Sequence, residues 1–351
     1  MEQYTHTCKE TSMRTSLRLG TGTVSTSGLL PSYRSDEEHE LVIPGTTVDY
    51  NATTLDCDDV QFSGITSFVG GVSNGQVGIA AMNFTNPATR ALSWKKAWFF
   101  LENDVQHVMI PFISSSSNAS VFSVLDQKRH NGDVFVNGAP IGQNTNFSYP
   151  LSLWHDNVGY LFDPAVSPIQ LSIEVGDKSG NWSDIGISAQ GVETVDLFAA
   201  WLDHGSASPS APFAHTAFPA VEQSKFVEKA LKTRLQTIRN DADVSAVYDQ
   251  KHRVAMFVFW SPEGGSATFF PSPFEAAISV NSSANAALIY NIDSNNITVS
   301  DPSQTVETLE LTFTAGWYGK TPSCWGSDLW KQVQINLPSG GLAGSSVSQT
   351  I

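Results

Sequence analysis

The segment Thr308-Leu309-Glu310-Leu311-Thr312-Phe313 decides the fold class, because its polar and apolar residues alternate strictly. Successive side chains of an extended strand point to opposite faces, so Leu309, Leu311 and Phe313 share one face. A strand with one buried face and one wetted face is typical of antiparallel sheets. The pattern therefore predicts a half-buried β-strand.

The same kind of signal recurs outward along the chain. Residues 171–175 alternate in the same way, and residues 133–136 lie between two Asn-Gly pairs, which favour tight hairpin turns because both residues tolerate positive φ. Residues 108–113 form an apolar strand that a proline interrupts, which predicts a sheet edge or a bulge. One helical pattern runs from Val221 to Leu235. These signals together predict an all-β chain of antiparallel sheets.

The composition agrees with a β-rich extracellular protein. The 351 residues are 41% hydrophobic and only 15% charged, and Ser, Thr, Asn and Gly abound. A chain of this length buries a substantial core as one large domain or two. It contains no run of about 18 apolar residues, so the sequence predicts no membrane span.

Seven Asn-x-Ser/Thr sequons predict a secreted glycoprotein. They lie at Asn51, Asn83, Asn118, Asn146, Asn181, Asn281 and Asn296. Against this prediction, residues 1–6 are polar and provide no apolar signal core.

The cysteines give no metal signature. Cys8, Cys57 and Cys324 allow one disulfide and one thiol, in a pairing that the sequence leaves open. No C-x-x-C or Cys/His zinc motif occurs. We therefore expect neither a metal nor a cofactor.

The formal net charge of −15 argues against binding to nucleic acid or to anionic membranes, since both need clustered Lys and Arg. An acidic surface also repels an acidic polymer. A channel for such a substrate must therefore be locally basic or lie on a partner domain. The simpler interpretation is that the acidity keeps a secreted protein soluble.

Four segments carry a family resemblance through their order and separation. They are Ile43-Pro44-Gly45-Thr46-Thr47, Lys96-Ala97-Trp98-Phe99-Phe100, Trp154-His155-Asp156-Asn157 and Arg239-Asn240-Asp241-Ala242-Asp243-Val244. Together they resemble the non-catalytic β half of polysaccharide lyase family 8, the hyaluronate, chondroitin AC and xanthan lyases. The resemblance covers the chain from about Met1 to about Phe313.

The resemblance implies two β domains. Residues 1–235 correspond to a large antiparallel β-supersandwich similar to galactose mutarotase, and residues 236–315 to a small C-terminal β-sandwich. We predict a Gly/Ser-rich tail over residues 316–351, frayed between Pro338 and Ser348. The family has a Met and a later His where its β half opens. We therefore expect Met1 to be an internal methionine and the chain to be a fragment, a truncated gene model or a degraded paralogue.

The resemblance also implies a reaction whose catalytic groups have no counterpart in this chain. β-Elimination on a uronic-acid polysaccharide needs a group that neutralises the carboxylate, a base and an acid. In the family an Asn, a His, a Tyr and an Arg of a preceding helical toroid fill these roles. A family glutamate loop before the Pro-Gly-Thr-Thr segment is also missing, and we interpret Asp36-Glu37-Glu38-His39-Glu40 as a solvated acidic loop. We predict no catalytic residue in this chain.

Five residues remain as candidates for contact with carbohydrate. His155 and His204 each adjoin an aspartate, but neighbours on a strand point to opposite faces, and burial in the β framework is the alternative. Trp317, Trp325 and Trp330 lie near Tyr318, and an indole offers a flat apolar face to a pyranose ring. Ordinary packing is the alternative for these tryptophans.

The sequence supports two functions. The first is the β portion of a secreted polysaccharide lyase that acts by β-elimination on uronic-acid-containing polysaccharides, lacks the catalytic α/α-toroid and is inactive alone. The second is a stand-alone non-catalytic carbohydrate-binding or structural β protein descended from such lyases. Both predict an acidic polysaccharide as the partner and an extracellular location, and the first adds a separate toroid. The choice among hyaluronan, chondroitin and xanthan is left open by the sequence.

Overall fold

The described part of the chain is built almost entirely from antiparallel β-sheets. A computed structural model describes residues 44–50, 52, 64–142, 144–162, 170–181, 191–206 and 211–351. Within these ranges the strands form four sheets of five, nine, six and four strands. This arrangement confirms the predicted all-β class.

The first layer is the five-stranded sheet. Strands are numbered along the chain, and in pairing order this sheet contains β1 (Thr47–Asp49), β6 (Val121–Arg129), β13 (Val192–Asp203), β12 (Gln170–Asn181) and β9 (Thr145–Ser148). The long hairpin of β12 and β13 stays in register from Gln170, opposite Asp203, to Asn181, opposite Val192.

The second layer is the nine-stranded sheet. In pairing order its strands are β2 (Val69–Ser73), β3 (Gly78–Thr85), β4 (Leu92–Leu101), β5 (Val105–Ser115), β14 (Phe213–Phe218), β11 (Val158–Phe162), β10 (Ser152–His155), β7 (Val134–Val136) and β8 (Ala139–Ile141). Trp94 and Trp98 of β4 pack towards the five-stranded sheet, while Phe99 and Leu101 pack on the opposite face. Both faces of this sheet are covered, and this explains why most residues of β4 and β5 are buried.

A bulge interrupts the centre of this sheet. The register of β4 against β5 shifts between Lys95 and Ala97, so that two residues of β5, one of them Pro111, lie opposite Lys96. Proline has no N–H to donate to the ladder, and a bulge accommodates it inside a sheet. Of the two predicted settings for residues 108–113, the bulge is confirmed.

A helix connects the two halves of the chain. The helix α1 (Gln223–Lys232) is shorter than the predicted span from Val221 to Leu235, and Leu231 within it is exposed. Phe226 is the buried residue of α1, and its ring lies on Gly159 so closely that a Cβ there would stand 2.4 Å from the ring. Glycine is therefore required in β11 for the helix to dock.

The third and fourth layers form the C-terminal sandwich. The six-stranded sheet pairs β15 (Leu235–Asn240), β16 (Val244–Asp249), β17 (Val254–Phe259), β20 (Ala286–Asn291), β21 (Asn296–Ser300) and β24 (Val347–Thr350) in that order. The four-stranded sheet pairs β18 (Gly265–Phe269), β19 (Ile278–Ser282), β22 (Thr308–Ala315) and β23 (Trp330–Asn336).

Three apolar clusters fix the order in which the layers stack. One cluster joins the five- and nine-stranded sheets, one joins the nine- and six-stranded sheets, and one joins the six- and four-stranded sheets. The middle cluster places Phe99 of β4 with Met256 of β17, so the two halves share a buried interface. The layers therefore follow the order five, nine, six, four.

The C-terminal residues are part of this fold. Strands β23 and β24 belong to residues 316–351, and short 3₁₀ turns occupy Ser323–Trp325 and Gly340–Leu342. The prediction of a frayed tail from Pro338 is therefore wrong, because the backbone of β24 pairs with β21. The predicted division between residues 235 and 236 stays a prediction.

Several predictions concern residues outside the described ranges. They involve Met1, Cys8, the acidic segment 36–40, Asn51, Cys57 and the side chain of Asn181.

Candidate functional site

The Pro-Gly-Thr-Thr segment is attached to the first sandwich by a buried lysine. Lys96 Nζ donates hydrogen bonds to Thr47 Oγ1 at 2.7 Å and to the Gly45 carbonyl at 3.1 Å. The same ammonium lies 5.4 Å from the ring centroid of Trp94 and 5.6 Å from that of Trp98. Trp94 Nε1 adds a hydrogen bond of 3.1 Å to the Thr47 carbonyl. Residues 94–98 therefore hold Gly45 and Thr47 against the nine-stranded sheet.

A chain of hydrogen bonds extends this contact along the five-stranded sheet. Thr47 Oγ1 lies 2.9 Å from Ser123 Oγ, and Ser123 Oγ lies 2.8 Å from His204 Nε2. Strands β1 and β6 bring the two hydroxyls together because Thr47 pairs with Ser123. We call Lys96, Thr47, Ser123 and His204 the clamp.

Burial sets the protonation of the clamp. Removal from water disfavours the charged form of a side chain, so burial lowers the pKa of Lys96 to about 7. Burial and the nearby Lys96 lower the pKa of His204 to about 4. At neutral pH His204 is therefore neutral and Lys96 changes between its charged and neutral forms.

Two further histidines line the same sheet. His107 Nδ1 lies 2.9 Å from Thr216 Oγ1, an arrangement created by the pairing of β5 with β14. Burial lowers the pKa of His107 to about 4, and burial with the charge of Lys96 lowers the pKa of His215 to about 3. His107 Nε2 and His215 Nδ1 find no hydrogen-bond partner among the described residues. Both histidines are therefore neutral packing groups at physiological pH.

The Trp154-His155-Asp156-Asn157 segment forms a strand end and a hairpin turn. His155 is 1% exposed, and its ring centroid lies 4.2 Å from that of Phe198. Burial and the charge of Lys128 lower its pKa to about 4. Asp156 and Asn157 have φ of 42° and 63°, the geometry of a tight hairpin turn. This segment therefore builds the framework and has no open imidazole.

The three candidate tryptophans lie at one end of the C-terminal sandwich and differ sharply in exposure. Trp317 is 93% exposed and Trp330 is 59% exposed. Trp325 is 2% exposed, and its Nε1 lies 3.2 Å from Tyr290 Oη and 3.1 Å from Asn295 Oδ1. Trp317 and Trp330 have faces open to a ligand, whereas Trp325 is part of the core. The structure does not bring these residues together with His155 or His204, which lie in the first sandwich.

The clamp was not predicted from the sequence. Residues 94–98 alternate so that Lys96 shares a face with two tryptophans. This alternation is the sequence signal from which a buried lysine could have been predicted. Its partners Ser123 and Thr47 are 76 residues apart, and local patterns carry no information about such a contact.

The predicted modification sites are mostly accessible. Asn118, Asn146, Asn281 and Asn296 are exposed or partly exposed, and Asn83 is half-buried. Their glycosylation stays a prediction.

Cys324 is exposed, and its thiol donates a hydrogen bond of 3.1 Å to the Ile292 carbonyl. The described residues contain no group of three or more His, Cys, Asp and Glu side chains arranged for a metal ion. No described helix combines the length and the apolar character that crossing a bilayer requires.

Comparison with known proteins decides the family. The description "Polysaccharide lyase family 8, super-sandwich domain" matches residues 40–230, and "Polysaccharide lyase family 8, C-terminal beta-sandwich domain" matches residues 236–310. The chain belongs to polysaccharide lyase family 8. The resemblance predicted from the four motif segments is thus confirmed.

The relatives of this family 8 chain are longer proteins. Chondroitinase-AC of Pedobacter heparinus is 26% identical over 291 residues, which are 81% of this chain and 38% of that protein. Hyaluronate lyase HylB of Enterococcus faecalis is 25% identical over 293 residues, which are 77% of this chain and 28% of that protein. The chain therefore spans less than two fifths of the length of either relative.

Solved structures show the same fold. A chondroitinase AC lyase studied in complexes with oligosaccharides superimposes with a TM-score of 0.74 and 24% identity, covering 88% of this chain and 43% of that one. The family 8 super-sandwich and C-terminal sandwich thus account for the stacked layers described above.

Proposed function

We propose that this chain is the β portion of a secreted family 8 lyase, which acts by β-elimination on uronic-acid-containing polysaccharides together with a helical toroid. On its own the chain binds or supports substrate and does not cleave it. The catalytic Asn, His, Tyr and Arg that the family places on its toroid have no matching motif in this sequence. The chain matches 38% of one relative and 28% of the other, and this supports the proposal that the catalytic residues lie on a separate toroid.

The clamp is the observation that carries the scaffold role. It uses a buried ammonium to hold Gly45 and Thr47, although burying a charge is costly. In the family a catalytic-site glutamate loop precedes this segment. We propose that the clamp, by fixing Gly45 and Thr47 on the super-sandwich, supports the substrate cleft that a helical toroid completes.

The histidines support the proposed lack of activity. A general base must lie within hydrogen-bond reach of the sugar proton that it removes. His107 and His155 are buried, and their lowered pKa values leave them weak bases. His204 Nε2 already forms a hydrogen bond with Ser123 Oγ within the clamp. We therefore leave His107, His155 and His204 out of the proposed substrate contacts.

The test is an ultraviolet absorbance assay for unsaturated uronate products on hyaluronan, chondroitin and xanthan. The chain alone, shown folded by circular dichroism, is expected to give a flat trace. A chimera that joins the chain to a family 8 helical toroid, in place of the toroid's own β half, is expected to release product more slowly than the intact lyase, because this chain lacks the family's glutamate loop. Cleavage by the chain alone would overturn the inactivity, and a folded but inactive chimera would overturn the scaffold role.

A second candidate is a non-catalytic carbohydrate-binding β protein with the same extracellular location. The exposed indoles of Trp317 and Trp330 favour it. An inactive chimera, combined with tight binding of a polysaccharide to the chain alone, would select this candidate.

A further inference from the structure

One end of the four-stranded sheet carries a group of exposed apolar side chains. Phe269, Ile278 and Ala315 are paired neighbours, so the loops 270–277 and 316–329 leave the sheet at the same end. The exposed side chains on these loops and on the adjoining start of β23 are Phe270, Phe274, Trp317, Tyr318, Leu329 and Trp330. We call this set the aromatic end.

Backbone hydrogen bonds join the two loops of the aromatic end. Gly316 N–H donates to the Ala277 carbonyl at 2.8 Å, and Ala276 N–H donates to the Lys320 carbonyl at 2.8 Å. Lys320 N–H in turn donates to the Phe274 carbonyl at 3.1 Å. The segment that carries Trp317 and Tyr318 is therefore held against its neighbour at both of its ends.

Close backbone contact and a buried anchor strengthen this attachment. Gly319 has φ of +98°, and a Cβ at this position would lie 2.7 Å from the backbone of Glu275 and Ala276. Further along the same loop, Trp325 is buried in the sandwich. The exposed rings thus sit on a fixed support, which lowers the ordering cost of binding a ligand.

Polar groups beside the rings match a sugar. On the outer face of the sheet, Thr268, Ser279 and Thr314 form a row of paired residues that ends at Trp330. A pyranose presents both an apolar face for stacking and hydroxyls for hydrogen bonding, and this row supplies hydroxyl partners next to the indole.

A nearby cation, Lys320, indicates that the ligand is anionic. Lys320 is exposed and forms no ion pair with any described residue. It lies two residues from Tyr318 in a chain whose net charge is −15. A positive group beside exposed rings complements a polymer that carries both pyranose faces and carboxylates.

We propose that the aromatic end binds a uronic-acid polysaccharide, with Trp317, Tyr318 and Trp330 stacking on sugar rings and Lys320 contacting a carboxylate. The choice of an acidic polymer rests on the proposed function. The site lies on the C-terminal sandwich, away from the clamp in the super-sandwich, so it retains the polymer without taking part in its cleavage.

The experiment is native affinity electrophoresis of the chain through gels that contain hyaluronan, chondroitin or xanthan, with dextran as the neutral control. The wild-type chain is expected to be retarded by at least one acidic polymer. Trp317→Ala and Tyr318→Ala are each expected to weaken this binding by about tenfold, because exposed aromatic anchors dominate such contacts. Lys320→Ala is expected to weaken it by roughly threefold at low salt.

Matched variants control for nonspecific effects. Tyr149→Ala removes an exposed ring from the first sandwich, and Lys251→Ala removes an exposed cation outside the aromatic end, so both are expected to bind like the wild type.

Three outcomes would count against the proposal. Equal retardation of Trp317→Ala and the wild type would overturn it. If no acidic polymer retards the chain, the proposal is also overturned. This includes the case in which sedimentation shows that the aromatic end joins two copies of the chain. Retardation by dextran as strong as by the acidic polymers would overturn the role of Lys320 and the choice of an acidic polymer. Product release in the ultraviolet assay is independent of these outcomes, so failure of the binding proposal is distinguishable from failure of the proposed lyase function.

Discussion

The two sandwiches of this chain bury different kinds of side chain. The super-sandwich buries Lys96 and several histidines along its nine-stranded sheet. The core between the six- and four-stranded sheets consists of apolar and aromatic residues, among them Phe257, Leu311 and Trp325. The two sandwiches thus differ in composition: the super-sandwich buries titratable groups, one of which holds Gly45 and Thr47, and the C-terminal sandwich has an apolar core.

Charged groups of the C-terminal sandwich have close hydrogen-bond partners. Arg253 forms two hydrogen bonds with the Glu275 carboxylate, at 2.9 and 2.6 Å, and one with Asp293 at 2.6 Å. The buried carboxylate of Asp301 accepts a hydrogen bond from Asn285 at 2.6 Å and one from the Val306 N–H at 2.8 Å. These charges have partners within reach, so we expect the C-terminal sandwich to respond less to pH than the super-sandwich.

The largest expected effect tests the apolar core. Trp325→Ala leaves a cavity and removes the indole N–H from Tyr290 Oη and Asn295 Oδ1, which keep their hydrogen bond to each other, and it is expected to lower the free energy of unfolding by about 3–5 kcal/mol. Trp317→Ala, an exposed position eight residues earlier, is expected to change it by no more than about 0.5 kcal/mol. Urea unfolding followed by circular dichroism measures both. Similar losses of unfolding free energy in the two variants would contradict the expected difference between the buried and the exposed tryptophan.

The next effect tests the buried lysine. The folded pKa of Lys96, about 7, is below its ordinary value of 10.5, so the unfolded chain binds more protons between these values and stability rises with pH in that window. From pH 7 to 9 the gain from this group is expected to be about 2–3 kcal/mol. Lys96→Met is expected to lose that gain, whereas Lys251→Met, at an exposed position, is expected to keep it.

Urea midpoints at the two pH values give the measurement. A gain in Lys96→Met as large as in the wild type would show that another group titrates in this window. In the lyase chimera, Lys96→Met is also expected to lower product release more than Lys251→Met does, because it releases Gly45 and Thr47 from the clamp.

A smaller effect appears on acidification. His107 has a folded pKa of about 4, below its ordinary value of 6.5, so its contribution to stability is present above pH 6.5 and is lost as the pH falls towards 4. Between pH 7 and 4.5 this loss is expected to be about 2 kcal/mol. His107→Gln keeps a hydrogen-bonding group near Thr216 and does not titrate. Thermal melts should therefore show a smaller acid-induced drop for the variant, and identical drops would refute the assignment to His107.

The smallest effect is expected at the rim of the C-terminal sandwich. Arg253→Lys replaces the two-pronged contact with Glu275 by a single ammonium, at an expected cost of about 1 kcal/mol. Because the pair is partly exposed, salt should reduce this cost. Urea unfolding of both proteins at low and high NaCl concentration checks the prediction. A cost that is independent of salt would indicate that packing of the arginine stem dominates.

The local sequence predicted the hairpin at Asn137-Gly138 because its chemistry is local. Asn137 and Gly138 have φ of 51° and 79° and join the paired strands β7 and β8, and residues 308–313 lie within β22. The hairpin predicted at Asn131-Gly132 is wrong, because this pair connects β6 to β7, which lie in different sheets. The C-terminal segment was mispredicted for the complementary reason. Its Gly and Ser content favours a frayed chain, yet β24 is ordered by pairing with β21, about 50 residues away.

By itself the sequence determined the all-β class, the antiparallel hairpins and membership of polysaccharide lyase family 8. Alternation over a few residues is enough to assign each side chain to one face of a strand. Only the tertiary structure decided that Trp325 is buried while Trp317 is exposed, and that Lys96, Thr47, Ser123 and His204 form one chain of hydrogen bonds. The reason is physical: strand periodicity fixes the direction of a side chain, whereas its burial and its partners depend on which distant strand packs against it.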